Sequence, residues 1–263
     1  MVAKRQEKAL GNREHFLKPR SNSLAGQYKT PAPTTDYISP TSVRYSVPIP
    51  ARARSDNIVE SILEGWRRGT RGPLPQITPL QLLNALVLIE REGPVGRRAL
   101  AHALQINDGI ARGLMERLGE SKIVSVTETG VRLSKSGRES LHRFLRHLSL
   151  KKILPLQESD LIPDRSTVAV HLTGTYKPRM TGISQRDEAI KAGAEGSITI
   201  AAISGRLVLP PDNKSLANLA PKENARLRTE FGPSNGDLII IGFGKDESRA
   251  LAGALAAVLS LKH

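Results

Sequence analysis

Six side chains, Arg97, Arg98, Asn107, Arg112, Lys122 and Arg132, combine fixed positive charge with one amide. These are the residue types that neutralise phosphates and read base edges: arginine forks onto guanine O6 and N7, and asparagine onto adenine. All six fall in a stretch with the periodicities of short helices followed by a hairpin. The set predicts a DNA-binding surface with double-stranded DNA as the partner.

The elements that must hold these side chains can be read one after another. Leu80, Leu83, Ala85, Leu86, Val87 and Ile89 fill one helical face, Thr78 supplies an N-cap, Pro79 a first-turn proline, and Gly93-Pro94 the stop. Residues 96–104 predict a short second helix with Ala99, Leu100, Ala103 and Leu104 turned to the core and Arg97 and Arg98 at its start. Residues 105–108 make a tight connection in which Asn107 can cap the next helix. In residues 109–119, Ile110, Leu114 and Leu118 line the inner side and leave Gly109, Arg112, Gly113 and Glu116 outward. This third helix is the expected reader. Asp108 is expected only to cap and Glu116 only to be solvated, which leaves Arg112 to address bases. Residues 123–127 and 131–133 are β-rich runs about a Glu128-Thr129-Gly130 turn, a wing carrying Arg132. A fourth helix begins near Lys135, with Leu141, Phe144, Leu145 and Leu148 inside, and can run on into Lys151 and Lys152.

The run Gly93-Pro94-Val95-Gly96-Arg97-Arg98-Ala99-Leu100-Ala101, with Ile110, Leu118, Ile123, the Thr129-Gly130 turn and Leu133-Ser134-Lys135-Ser136-Gly137-Arg138, resembles winged-helix domains of prokaryotic transcription regulators. It is most similar to the N-terminal domain of the central glycolytic gene regulator family. The resemblance implies a winged helix-turn-helix over roughly a quarter of the chain. One departure stands out, because such regulators often begin the reading helix with Ser-Arg and place paired basic residues one turn on. Here those positions hold Asn107-Asp108 and Arg112-Gly113, a less basic face.

A chain of 263 residues with 39% hydrophobic residues accommodates two ordinary domains and a tail. The net charge of +14 and a pI near 10.4 favour a polyanionic partner. With no cysteine, disulfide scaffolds and thiolate metal sites are excluded. No apolar run approaches the ~18 residues that cross a bilayer, and the N-terminus lacks a signal-peptide core, so no membrane partner is expected and the location is expected to be cytoplasmic. Aromatic residues make up only 3%, too few for the stacking platforms of single-strand binders, which ranks duplex DNA above single-stranded RNA.

Five segments follow. Residues 1–54, rich in Ser, Thr, Pro and basic residues, read as a disordered basic arm. Residues 55–76 hold an amphipathic helix capped by Ser55-Asp56, with Ile58, Val59, Ile62, Leu63 and Trp66 on one stripe, then Arg67, Arg68 and Arg71 near phosphate and the breakers Gly69, Gly72, Pro73 and Pro75. Residues 77–152 are the winged helix, 153–165 a linker, and 166–263 an α+β domain. That last domain reads as strand 167–172, helix 183–192, hairpin 197–209 about Ser204-Gly205, helix 221–229, strand 237–243 and an alanine-rich helix 245–261. The fold class is therefore α+β, a winged helix-turn-helix followed by a small sheet covered by helices. Residues 182–194 and the later Ile240-Ile241-Gly242-Phe243-Gly244 resemble an archaeal family in which a winged helix precedes a C-terminal domain of unknown function. That resemblance implies archaeal origin and brings no ligand.

Chemistry in the C-terminal half has little support. Arg179, in the polar loop 173–182, and Arg186, Gly242 and Gly244 are candidates for holding a small anionic effector, although Gly242 and Gly244 fit tight turns better than a dinucleotide fingerprint. His171 lies in an apolar strand and is expected to be a satisfied core histidine. His102, His142 and His147 lack a carboxylate constellation for a metal, and no Ser-His-Asp arrangement can be assembled. No enzyme, cofactor or metal is expected. The sequence thus predicts a DNA-binding transcription regulator, a homodimer whose C-terminal domain supplies dimerisation, effector sensing or both, with the long helix 245–261 free to pack a partner or its own sheet. The alternatives are an RNA or ribosome-associated protein reading shape with the same basic surface, and a protein-interaction module.

Overall fold

The computed structural model describes residues 57–69 and 76–262. The basic arm 1–54, the cap Ser55-Asp56, Arg71, Gly72, Pro73, Pro75 and the side chain of Arg68 lie outside the described residues. Asn57 caps the first helix, α1 (Ile58–Gly69), where its Oδ1 accepts from Val59 N at 3.1 Å. Trp66 anchors that helix to the winged helix: it is buried, and its Nε1 donates to Ser121 Oγ at 2.9 Å.

Helix α2 (Pro79–Glu92) starts as the sequence predicts. Thr78 Oγ1 accepts from Gln81 N and Gln81 Oε1 accepts from Thr78 N, a capping box with proline in the first turn. The same Gln81 donates from Nε2 to Leu104 O at 3.0 Å and so ties the end of α3 (Arg97–Leu104) to the start of α2. Helix α4 (Asp108–Glu120) is capped by Asn107, strands β1 (Val124–Thr127) and β2 (Gly130–Leu133) form the wing, and α5 (Lys135–His147) closes the body. Arg138 and His142 of α5 both reach Glu90 of α2, at 3.0 and 3.1 Å.

Helix α5 does not continue into Lys151 and Lys152, and the first four residues of the expected linker 153–165 are strand instead. Residues Leu150–Leu156 form β3, an edge strand antiparallel to β4 (Ser166–Leu172). Lysines and a proline are tolerated on a strand with one free edge, which explains why this segment resembles a linker in composition. The sheet has six strands in the order β3-β4-β8-β5-β6-β7, every pairing antiparallel, where β5 is Gly196–Ile203, β6 Arg206–Leu209, β7 Lys214–Ser215 and β8 Leu238–Gly244.

The alternation of the strands gives each face its own helices. Ala169, Ile200, Ala202, Ile239 and Ile241 pack against Leu216 of α7 (Leu216–Leu219) and Leu227 and Phe231 of α8 (Pro221–Phe231). Val168, Val170, Leu172, Leu238 and Ile240 pack against α9 (Glu247–Leu259), and the same cluster runs on into Leu82, Leu86, Leu100 and Leu114 of the winged helix. One interior therefore serves both halves. Residues 250–258 of α9 are all buried within the chain, so this helix has no face left for a partner subunit. Gly242 contributes to this contact rather than to an anion site: a Cβ there would strike Ala250 O and Ala254 N of α9. Gly244 likewise faces Arg249 Cβ.

Candidate nucleic-acid interface

Helix α4 buries Ala111, Leu114 and Leu118 and turns Asp108, Gly109, Arg112 and Glu116 to solvent. Its 13 residues span ~20 Å, enough to lie along several base pairs of a major groove. Asn107 Oδ1 accepts from Ile110 N at 2.8 Å, so the amide expected to read adenine is engaged as the N-cap, a role its position also predicts.

The acidic residues are more than a cap and a solvated side chain. Arg97 Nε lies 2.8 Å from Asp108 Oδ1, and Arg112 Nε donates to Glu116 Oε1 at 2.8 Å. Asp108, Arg112 and Glu116 succeed one another at i, i+4 and i+8, one stripe on α4. The Glu116 carboxylate, first through this hydrogen bond and then through its charge, raises the already high pKa of Arg112, and Asp108 adds to it. Two of the expected phosphate or base contacts thus begin as internal ion pairs. The i, i+4 spacing of Arg112 and Glu116 signals this pair in the sequence, whereas Arg97 and Asp108 meet only because α3 and α4 cross.

Arg98, Lys122 and Arg132 are exposed and carry no ion pair among the described residues. Val95 N donates to Val131 O and Val131 N to Val95 O, at 2.9 and 3.0 Å, which brings the approach to α3 alongside β2. Arg97 and Arg98 therefore start beside the strand that carries Arg132. Glycine at 130 is required here, since φ is +146° and a Cβ would collide with the Val95 carbonyl. Lys122 lies past the other end of α4, where its carbonyl accepts from Ser134 Oγ at 2.8 Å, and so joins the exposed Lys135 rather than Arg97 and Arg98. Lys135 belongs to this basic margin and its position as the first residue of α5 is the signal that marks it.

The candidate effector residues are not brought together. Arg179 is exposed, Arg186 pairs with its neighbour Asp187 at 3.0 Å, and none of Arg179, Arg186, Gly242 and Gly244 lines the cleft of about 830 Å³ bordered by Arg165 and Lys222 or the one of about 340 Å³ bordered by Arg91 and Arg146. His171 is a core histidine, as expected, but only half satisfied: fully buried, it lies with Nε2 2.9 Å from Asp237 Oδ2, while its buried Nδ1 has no hydrogen-bond partner among the described residues. Among the described residues no group of His, Asp and Glu could hold a metal ion, and no helix is long and apolar enough to cross a membrane.

A helical body, an exposed third helix and a hairpin bridged to the approach of the second define a winged helix joined to an antiparallel sheet domain. Residues 82–148 match the model of the CggR N-terminal DNA binding domain, and residues 164–261 match that of a domain of unknown function, DUF4443. Both resemblances drawn from the sequence are borne out. A hypothetical protein from Pyrococcus horikoshii OT3 is similar in fold, with a TM-score of 0.56 and 22% identity, over 69% of this chain and 92% of that one. No curated protein matches the chain.

Proposed function

We propose that this chain is a DNA-binding transcription regulator that acts in the cytoplasm by binding rather than catalysis. Helix α4 enters the major groove with Arg112 toward the bases, Arg97, Arg98 and Lys122 fix register on phosphates, and Arg132 in the wing meets the backbone or the minor groove. The observation that carries this reading is the exposed face of α4, flanked by Arg98 and Arg132, which carry no ion pair among the described residues, within a segment matching a DNA-binding domain. Anisotropy titrations of the full chain against random duplex, selected duplex and structured RNA, each at several salt concentrations, test it. Arg98→Ala is expected to weaken binding nearly equally on all duplexes and to lower the salt slope by about one unit. A preference for structured RNA over every duplex would replace this reading with the RNA-binding one.

The C-terminal domain supplies dimerisation, effector sensing or both. The cleft of about 830 Å³, bordered by Asp160, Arg165, Lys222, Arg226 and Lys245, has the size of small-molecule sites and is the place for an effector. For the homodimer the support is α6 (Ile183–Lys191), which buries Gln185 and Ala189 but exposes Ile183 and Ile190, seven residues apart on one side. Ile190→Glu is expected to convert a sedimenting dimer to monomer. A dimer that persists in this variant moves the interface elsewhere.

A further inference from the structure

The geometry points to the Arg112–Glu116 ion pair as a single preassembled reader of a G·C base pair, in which Glu116 is the positioning residue and Arg112 the base contact. This inference rests on the major-groove placement of α4 proposed above. Glu116 Oε1 takes the hydrogen of Arg112 Nε, at 2.8 Å, and leaves both terminal Nη groups without a partner among the described residues. A guanidinium hydrogen-bonded through Nε keeps its terminal Nη groups available, and that free end is the fork that matches guanine O6 and N7. The second carboxylate oxygen, Oε2, is an acceptor that also has no partner among the described residues. Across the major-groove edge a G·C pair presents two acceptors on guanine and then the N4 amino donor of cytosine. The pair on α4 offers the complement, two donors and then an acceptor.

The neighbouring position supports close approach. Gly113 adjoins Arg112 within the helix, and a Cβ there would meet nothing within 4 Å, so no packing inside the chain calls for glycine. Glycine in a helix interior costs about 0.5–1 kcal/mol relative to alanine. Its absent side chain leaves room for a base edge or sugar beside the guanidinium. Glu116 also carries a negative charge that repels phosphate, so it opposes binding wherever the base pair cannot use it. An unpaired arginine would bind all duplexes better and distinguish among them less.

The test begins with selection of duplexes from a randomised library by the full wild-type chain, followed by titration of the selected duplex, of variants with each G·C pair changed to A·T, and of duplexes carrying 7-deazaguanine, which lacks the N7 acceptor. One G·C pair is expected at which either change costs wild type about tenfold, and at which Arg112→Ala is indifferent to both. Glu116→Ala is expected to lower discrimination at that pair several-fold while strengthening binding to random duplex. A merely structural role would weaken both. Glu116→Gln, which keeps an acceptor for Nε, is expected to recover part of the discrimination. Thermal melting matched to wild type verifies that the exposed substitutions leave the fold intact. Sequence-selective binding that Glu116→Ala leaves unchanged, or equal 7-deazaguanine losses with and without Arg112, would overturn the inference while the DNA-binding reading stands. A wild-type chain that prefers no duplex over random DNA would remove both.

Discussion

A Gly242→Val chain is expected to lose about 3 kcal/mol of stability and to loosen the winged helix together with the sheet, although position 242 lies more than ninety residues beyond the wing. Any Cβ at 242 runs into the backbone of α9 at Ala250 and Ala254, atoms that cannot rotate away as a flexible side chain can. Relief requires α9 to lift from the sheet, and α9 packs on its other side against α2, where Arg91 Nη2 also meets Glu247 Oε1 at 2.6 Å. Denaturant unfolding is followed by far-UV circular dichroism, which averages over both halves, and by the fluorescence of Trp66, the sole tryptophan, which reports the winged-helix half alone. Coincident transitions, both shifted to lower denaturant, are expected. An unaltered tryptophan transition would mean that the halves fold independently.

Asp237→Ala is the second large effect, about 3 kcal/mol of destabilisation with a change in acid sensitivity. The buried carboxylate accepts from Gly174 N on Oδ1 and from Ser234 N and His171 Nε2 on Oδ2, each at 2.9 Å. An ionised carboxylate only accepts, so His171 carries its proton on Nε2. Burial pushes the Asp237 carboxyl up, but the donors from Ser234, Gly174 and His171 together outweigh it and hold the group below its ordinary value. A depressed folded-state value contributes stability that is fully present above the unfolded carboxylate pKa of about 3.9 and is lost as pH falls through the folded value. Wild type is therefore expected to lose denaturation midpoint more steeply than Asp237→Asn, whose amide does not titrate there, as pH falls below about 4. Parallel pH profiles would show that this carboxylate is not linked to folding.

The winged helix is legible in the sequence because each of its parts announces itself locally. Thr78-Pro79 and Asn107 cap the helices they precede, and Leu114 and Leu118 fall on the buried side that their spacing predicts. Strand β3 is not legible, because Lys151, Lys152 and Pro155 are permitted by a free edge that only the finished sheet reveals. The covering of α9 was equally hidden: an alanine-rich helix suits a partner subunit as well as it suits two layers of its own chain. Of the interface, the exposed cations could be named from pattern, but the pairing of Arg97 with Asp108 depends on a helix crossing. Asp237 and His171 lie 66 residues apart and meet through neighbouring strands, so no local spacing marks the carboxylate as the histidine's partner.

The continuous interior from Leu82 to Val258 has a consequence for any operator. A pair of copies joined through their sheet domains would hold the two reading helices as on a stiff yoke, at one separation and one angular phase. Insertion of a single base pair between half-sites turns one of them by about 35° around the duplex axis, and no tether within the described chain is slack enough to follow it. Spacer length should therefore be as stringent a requirement as the bases themselves.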